Sequence, residues 1–324
     1  MKVVMFGRGV IASIYGWALE RAGHEVEVLV RPGRAAEYGD GTELDLLDAR
    51  RRPGGVRVRE SWSPRYREEL APDHDVEVIV VSVGHQALAE VAEFLAPRIG
   101  GATVLVFGNI WTDPPAAAAP LPAERLAWGF PQAGGGFDAA GTLQGALMKR
   151  ILFGTLDGAA PTARERAVRD LFASAGLTVA EQRDIRGWLL AHFVADAGMH
   201  AAALGAGSLS AMIGRPRSLR EAFLVGRELF PVLRRRGVDP RDQRASLMLF
   251  RRPSWLMAAL AALATRYVPI ARASLAAHTD AYAAEPRRVV LDALAEARRL
   301  GVPTPRLERA AALLRPDHPV DPAS

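Results

Sequence analysis

The sequence predicts an α/β protein with a doubly wound parallel sheet in its N-terminal half and an all-helical C-terminal domain. Three observations carry that prediction. Apolar, β-branched runs alternate with helical periods through the first half, a glycine-rich turn follows the first run at residue 7, and strand signals stop near residue 184. Alternating strands and helices build a parallel sheet covered on both faces, because each crossover helix must bury its apolar stripe.

Taken in order, residues 2–6 read as a strand, 11–22 as a helix and 25–30 as a second strand. Residues 76–83 and 103–107 are β-branched runs suited to a sheet buried on both faces, and 87–96 between them has helical spacing. A proline-rich loop over 114–122 leads to short segments around 128–130 and 148–153. Thr162-x-x-Glu165 reads as a capping box that opens a helix ending at Ser174, with a strand near 177–180. Beyond Asp184, helical patterns occupy 184–206, 217–236, 241–250, 253–264 and 286–300. Ser218-x-x-Glu221 reads as another cap, and Gly237 and Gly301 stand where helices are expected to end. The expected domains are therefore 1–182 and 183–324, with a proline-rich tail after Leu314 expected to fray.

Composition narrows the function classes. At 49% hydrophobic and 24% charged residues, the 324-residue chain can bury two cores. The absence of cysteine excludes disulfides and thiolate metal sites. A strand beginning at Lys2 leaves no room for a signal peptide. The longest uninterrupted apolar run, 255–264, is shorter than the roughly 20 residues that cross a bilayer. A cytoplasmic protein without membrane attachment is the expectation. The net charge of +5 arises from 41 basic and 36 acidic residues that interleave along the chain. Clusters such as Arg50-Arg51-Arg52 and Arg234-Arg235-Arg236 lack interleaved aromatics, so no nucleic-acid partner is expected. Only two lysines are present, Lys2 and Lys149.

The first strand runs into Gly7-Arg8-Gly9-Val10-Ile11-Ala12, a G-x-G-x-x-A turn that opens a helix. The first glycine permits the tight turn, the second lets a pyrophosphate approach the backbone, and Ala12 lets helix and strand pack closely. The free N–H groups and the helix dipole then favour an anion there. This is the signature of a Rossmann dinucleotide-binding domain. Past the second strand, where an NAD-binding domain carries an acid for the ribose 2′-hydroxyl, stands Arg31, with Arg34 in the same loop. A guanidinium suits a 2′-phosphate, so NADP(H) is the expected cofactor. The ends of later strands, at Val83 and Asn109, join the cofactor-binding candidates.

Together these residues resemble the ketopantoate reductase family, and the resemblance extends over nearly the whole chain. It rests on the turn at 2–12, on Gly23-His24-Glu25-Val26, on Arg31, and on Val80-Val81-Ser82-Val83-Gly84-His85-Gln86, which resembles a family loop but lacks its lysine. Phe107-Gly108-Asn109 resembles a segment whose asparagine lies near cofactor and substrate. The resemblance implies a two-domain reductase with its active site in the cleft. In the family a helix carries a catalytic lysine with asparagines four and eight residues on; the matching positions here are His192, Asp196 and His200. Glu285, with Gly301 and Pro305 at family spacing, matches the substrate-binding carboxylate, although Ala284 replaces a threonine and Pro286 follows. Asn109 and Ser274 are the substrate-binding candidates. Without the lysine and both asparagines, ketopantoate itself is not the expected substrate.

Independently of any family, His192, Asp196 and His200 are the only ionisable side chains on an otherwise apolar helix between Trp188 and Leu204, at i, i+4 and i+8. That spacing places them on one face. Buried, unpaired polar groups cost a few kcal/mol, so the stripe must meet a partner, water or ligand. Reduction of a carbonyl or imine needs a proton donor beside the hydride source, and histidine titrates near neutral pH. His192 is the expected general acid, Asp196 its orienter, and His200 and Glu285 complete the catalytic set. Three other readings stay open: a metal held by one His–Asp pair with Glu285, an NADP(H)-sensing protein without turnover, and a non-redox reaction in the same cleft. A homodimer through the helical domain is the remaining partner expectation.

Overall fold

The computed structural model describes residues 1–39, 41–244 and 246–314; the expected fraying of the tail falls outside the described residues. The chain divides into two compact units, Met1–Arg186 and Gly187–Ser324. In chain order the first unit contains β1 (Lys2–Phe6), α1 (Val10–Glu20), β2 (Glu25–Leu29), β3 (Thr42–Asp48), β4 (Val56–Trp62), β5 (Arg65–Arg67), β6 (Val78–Val81) and α2 (Leu88–Leu95). It continues through β7 (Thr103–Phe107), α3 (Pro114–Ala117), β8 (Leu126–Phe130), β9 (Ala133–Phe137), β10 (Leu143–Leu147), β11 (Arg150–Gly154), α4 (Ala163–Ser174) and β12 (Thr178–Glu181).

Eight of the strands form one sheet in the order β12-β11-β8-β7-β6-β1-β2-β5. Every neighbouring pair is parallel except β11 against β8. The chain grows outward from β1 through β2 to β5, then returns to the other side of β1 and grows through β6, β7 and β8. The order therefore reverses between β1 and β6, and open sheets of this kind bind ligands beyond the carboxyl ends of the strands at that switch. The central strands are apolar on both faces: Val78 to Val81 and Thr103 to Phe107 are all buried.

A second sheet, in the order β4-β3-β10-β9, was not expected from the sequence. It packs over α1. Trp62 on β4 donates through its indole N–H to Glu20 at 2.7 Å, Trp17 donates to Glu60, and Arg21 pairs with Glu60 at 2.6 Å. Gly16 is the contact point, since a Cβ there would stand 2.8 Å from the Trp62 ring. Beneath α1, Tyr15 lies in an aromatic core with Phe107 at 5.0 Å and Phe172 of α4 at 5.7 Å between ring centroids. The capping box that opens α4 is complete in both arms, with the Thr162 hydroxyl accepting from Glu165 N–H and the Glu165 carboxylate accepting from Thr162 N–H.

The helical elements are α5 (Ile185–Ala206), α6 (Pro216–Glu228), α7 (Phe230–Arg235), α8 (Met248–Arg251), α9 (Ser254–Tyr267), α10 (Pro269–Ala276), α11 (Ala284–Arg299) and α12 (Pro305–Ala311). Three expectations are corrected. The pattern over 217–236 is two helices broken at Leu229, because Pro231 has no N–H for the carbonyl four residues back. Ser218 is not a cap: α6 opens at Pro216 behind Arg215, and Glu221 pairs with Arg306 at 2.6 Å. Among the described residues of 241–250 only Met248 onward is helical, since Asp239 accepts the Arg241 N–H at 2.8 Å and holds a turn instead. α5, at 22 residues, is long and apolar enough by composition to cross a membrane, and 67% of that apolar stretch is buried inside the protein.

The Gly16 contact yields a stability prediction. Gly16→Val drives side-chain atoms into Trp62 and should cost about 1–3 kcal/mol of unfolding free energy, the usual penalty of overpacking. A urea melt checks it; an unchanged midpoint would mean that α1 and the second sheet are not in close contact.

Candidate functional site: a dinucleotide turn and a histidine cluster

In the first unit the turn after β1 is shaped by one backbone torsion. Gly7 sits at φ +82°, a conformation that L side chains rarely adopt, and its N–H donates to Leu29 carbonyl at 2.9 Å. Gly9 then caps α1 with no side chain over the helix end. A Cβ on Gly9 would meet no atom within 4 Å, so the space in front of the first-turn N–H groups of Val10, Ile11 and Ala12 is open. Ala12 is buried between helix and strand. Free N–H groups at an uncapped helix end are the kind of donors that a dinucleotide pyrophosphate accepts.

Arg8 is held by the protein. Its guanidinium donates to Thr42 Oγ1 at 2.6 Å and lies 4.5 Å from the centroid of the Tyr38 ring. It ties the glycine turn to the start of β3. Arg34 pairs with Glu37 at 2.8 Å. Arg31, exposed just beyond β2, makes no such contact among the described residues. The loop after it is fixed by Glu68, whose carboxylate accepts from Gly33 N–H and from Ala35 N–H at 2.8 Å, which keeps that carboxyl below its usual range.

Val83 follows β6 and Asn109 follows β7, at the carboxyl side of the switch between β1 and β6. The two loops touch: a Cβ on Gly108 would stand 3.4 Å from the Val83 carbonyl. Ser82, at the same end of β6, has a buried hydroxyl with no hydrogen-bond partner in the protein. An orphaned hydroxyl in this position fits a ligand with polar groups.

In the second unit, one face of α5 carries His192, Asp196 and His200, and the structure separates their roles. His200 Nε2 lies 3.3 Å from Asp196 Oδ1, an acid one turn N-terminal to its base, the more favourable helical order. His200 is 7% exposed. Burial alone would depress its basicity, but the charge and hydrogen bond of Asp196, helped by Glu285, outweigh burial and raise it above the ordinary imidazole value. His192 stacks on Trp188, with ring centroids 5.0 Å apart and planes 9° from parallel. Burial lowers its basicity, with Asp196 opposing and His200 adding to the fall. One imidazole is thus made more basic and its neighbour less basic than an ordinary histidine.

Sequence reasoning missed a third histidine. His278, between α10 and α11, is also pushed down, first by burial and then by repulsion from His200, with Asp196 opposing. His200 Nδ1 and His278 Nδ1 are both buried without a hydrogen-bond partner. Nothing in the local sequence of His278 marked it, because its link to the cluster depends on the chain returning after α10. Glu285, in the first turn of α11, bears on His200 through charge. Ser274 turns its hydroxyl onto the Ala271 carbonyl at 2.8 Å, so its proton is committed to its own helix. Among the described residues no group of three His, Asp or Glu side chains is arranged to hold a metal ion.

The first unit has the class of a Rossmann dinucleotide-binding domain. Residues 3–158 match the family model of ketopantoate reductase PanE/ApbA, so the first unit is similar to this family. No curated protein matches the sequence. Solved structures share the fold along the whole chain. A 2-dehydropantoate 2-reductase from Geobacter metallireducens GS-15 is 19% identical with a TM-score of 0.64, covering 97% of this chain and 99% of its own. D-Mandelate dehydrogenase with NADH and anilino(oxo)acetate is 14% identical with a TM-score of 0.69, covering 97% of this chain and 96% of that one. Yersinopine dehydrogenase with bound NADP+ is 12% identical with a TM-score of 0.62, covering 97% and 90%. These neighbours are reductases and dehydrogenases, two of them solved with a bound nicotinamide dinucleotide, NADH in one and NADP+ in the other.

The Asp196–His200 pair makes stability depend on pH. A raised histidine stabilises the fold fully below the unfolded imidazole value of about 6.5, and that contribution is lost as pH rises through the higher folded value. Asp196→Asn removes the outweighing charge, so His200 should titrate lower than in the parent, and the stability slope above neutral pH should flatten. Histidine NMR titration with melts across that range checks it; an unmoved resonance would mean that Asp196 does not hold the proton.

Proposed function

We propose that the protein is an NADP(H)-dependent reductase acting on a carbonyl or imine of a small molecule other than ketopantoate. The observation that carries this reading is the buried imidazole of His200, paired with Asp196 at 3.3 Å and made more basic by it, in a chain whose other unit opens an uncapped helix end after a glycine turn. Gly7, Gly9, Val10, Ile11 and Ala12 would hold the pyrophosphate, Arg31 the 2′-phosphate, and Val83 and Asn109 the nicotinamide end. Preference for the phosphorylated cofactor rests on Arg31, whose free guanidinium occupies the position of a ribose-binding acid. Bound there, the cofactor supplies a hydride to the electrophilic carbon.

The chain's own residues manage the proton. We assign donation to His200 and not to His192, since burial makes the ring stacked on Trp188 less basic whereas the Asp196 carboxylate makes His200 more basic. His200 gives its proton to the developing oxyanion or amine, and Asp196 holds the ring and favours return of the proton afterwards. Asn109 and Glu285 orient the substrate. Ser274 can only accept there, because its proton is engaged.

NADPH oxidation against a panel of 2-oxo acids, ketones and imines tests the reading. Turnover is expected with one of these classes, and His200→Ala should lower kcat by about 10²–10⁴-fold with NADPH affinity preserved, the usual loss on removing a general acid. Arg31→Ala should weaken NADPH by about 10–100-fold, the worth of a hydrogen bond to a charged group, and leave NADH unchanged. Saturable NADPH binding without turnover on any class, or full activity of His200→Ala, would overturn the assignment.

A further inference from the structure

The chain's return after α10 brings another imidazole to the Asp196–His200 pair. His278 is anchored by its backbone: its N–H donates to the Leu275 carbonyl at 3.1 Å, and its own carbonyl accepts from Ser210 N–H at 3.1 Å. Ser210 lies just past α5, the helix that carries His200. The ring is close enough that the charge of His200 bears on it. Each of the two rings leaves Nδ1 buried without a hydrogen-bond partner, and His200 as a whole is only 7% exposed. Two orphaned nitrogens in one buried cluster call for a ligand, because each has given up its hydration for nothing in return.

The two nitrogens differ in sense. His200 Nε2 is taken by Asp196 at 3.3 Å, so Nδ1 is its remaining site, and the protonated ring that Asp196 favours presents an N–H there. In His278 a ring N–H is hydrogen-bonded to the Ser274 backbone, four residues back. Since Nδ1 has no partner, that N–H is on Nε2, and Nδ1 carries a lone pair. A further proton on Nδ1 is opposed by burial and then by His200. One orphan is a donor and the other an acceptor, yet they do not satisfy each other.

We propose that these two Nδ1 atoms receive a ketone that carries a hydroxyl or amino group on the carbon next to its carbonyl. The carbonyl oxygen accepts from His200, and the neighbouring O–H or N–H donates to His278. A carboxylate or an ether in that place has no proton to give and faces the His278 lone pair, so a 2-oxo acid is the poorer ligand. This assignment names the substrate class within the reductase reading and rests on that reading for its chemistry. The carbonyl carbon gains the hydride, its oxygen takes the His200 proton, and the neighbouring group keeps its own. The product is a 1,2-diol or a 2-amino alcohol. His278 orients the substrate and exchanges no proton with it.

Long-range proton–nitrogen NMR of the full chain reads the rings directly, and His278→Asn identifies the His278 signals among those of the 7 histidines. The free protein should show His278 with its proton on Nε2. Saturating 2-hydroxyacetophenone should shift Nδ1 of both His278 and His200. Turnover with NADPH then compares 2-hydroxyacetophenone, 2-methoxyacetophenone and phenylglyoxylate, which differ only in the group beside the ketone. Hydroxyacetone, methoxyacetone and pyruvate form a smaller set. The hydroxy member of a set should exceed the others on the order of 100-fold or more in kcat/KM, as for a site built around a substrate hydroxyl. His278→Ala should raise its KM by about 10–100-fold with kcat little changed, the cost of a lost buried hydrogen bond. His278→Asn, whose amide oxygen replaces Nδ1, should restore most of that loss. A His278 proton on Nδ1, rings that the hydroxy ketones leave unmoved, or preference for the 2-oxo acid would each overturn the inference. Saturable shifts of both rings without turnover of any compound would sink the reductase reading and support this site.

Discussion

The N-terminal architecture depends on the left-handed turn at Gly7. With φ at +82°, the chain leaves β1 and enters α1 within three residues, and α1 points its uncapped end at the carboxyl edge of the sheet. Any residue with a Cβ is strained there, and a longer turn would carry the helix end away from the switch point. Everything around the turn holds it in that position. Leu29 takes its N–H, Arg8 ties it to Thr42, and the second sheet clamps α1 through Gly16 and Trp62. The open space in front of Gly9 is therefore bounded by fixed backbone, and a ligand entering it would meet donors that are already aligned.

The helical unit solves a different problem, that of keeping one proton in an apolar setting. Three imidazoles share a charge environment, and burial disfavours the charged form of each. A single carboxylate, Asp196, cannot offset burial for all three. Its hydrogen bond goes to His200, and the positive charge retained there presses the other two toward neutrality. The result is one ring made more basic beside two made less basic, a difference set by competition for the carboxylate and not by any intrinsic difference among the histidines.

How far this was legible in the sequence follows from whether the determining forces are local. β1, α1, β7 and the capping box at Thr162 were readable because apolar runs, a glycine turn and a local hydrogen-bond motif specify them. The second sheet was not. β9 reads Ala-Gly-Gly-Gly-Phe, a composition that argues against a strand, and it forms one because Gly135 and Gly145 let β9 and β10 approach so closely that a Cβ would meet the facing carbonyl at 2.4–2.5 Å. The alternation Val56, Val58, Glu60, Trp62 of β4 was a readable signal that went unused. Ser218 failed as a cap because Pro216 had already started the helix. The α5 stripe was visible from its spacing, but which histidine takes the carboxylate was not, since both His192 and His200 stand four residues from Asp196. His278 could not be found without the tertiary return of the chain.

The two halves also differ in how they carry their ancestry. The family model matches only residues 3–158, whereas the fold is shared along the chain at 12–19% identity. Backbone geometry in front of a dinucleotide tolerates few solutions, so its glycines persist. A proton donor tolerates several, provided its charge is maintained. A lysine, ordinarily charged far above neutral pH, needs no help to remain a cation in a half-buried place, but an imidazole in the same place loses its proton. A helix that relies on histidine must therefore bring a carboxylate within hydrogen-bond reach, and one turn upstream is the position that meets it on the same face. On this argument Asp196 is not an accessory to His200. The acid and the imidazole form one hydrogen-bonded pair, and the proposed proton donor depends on both.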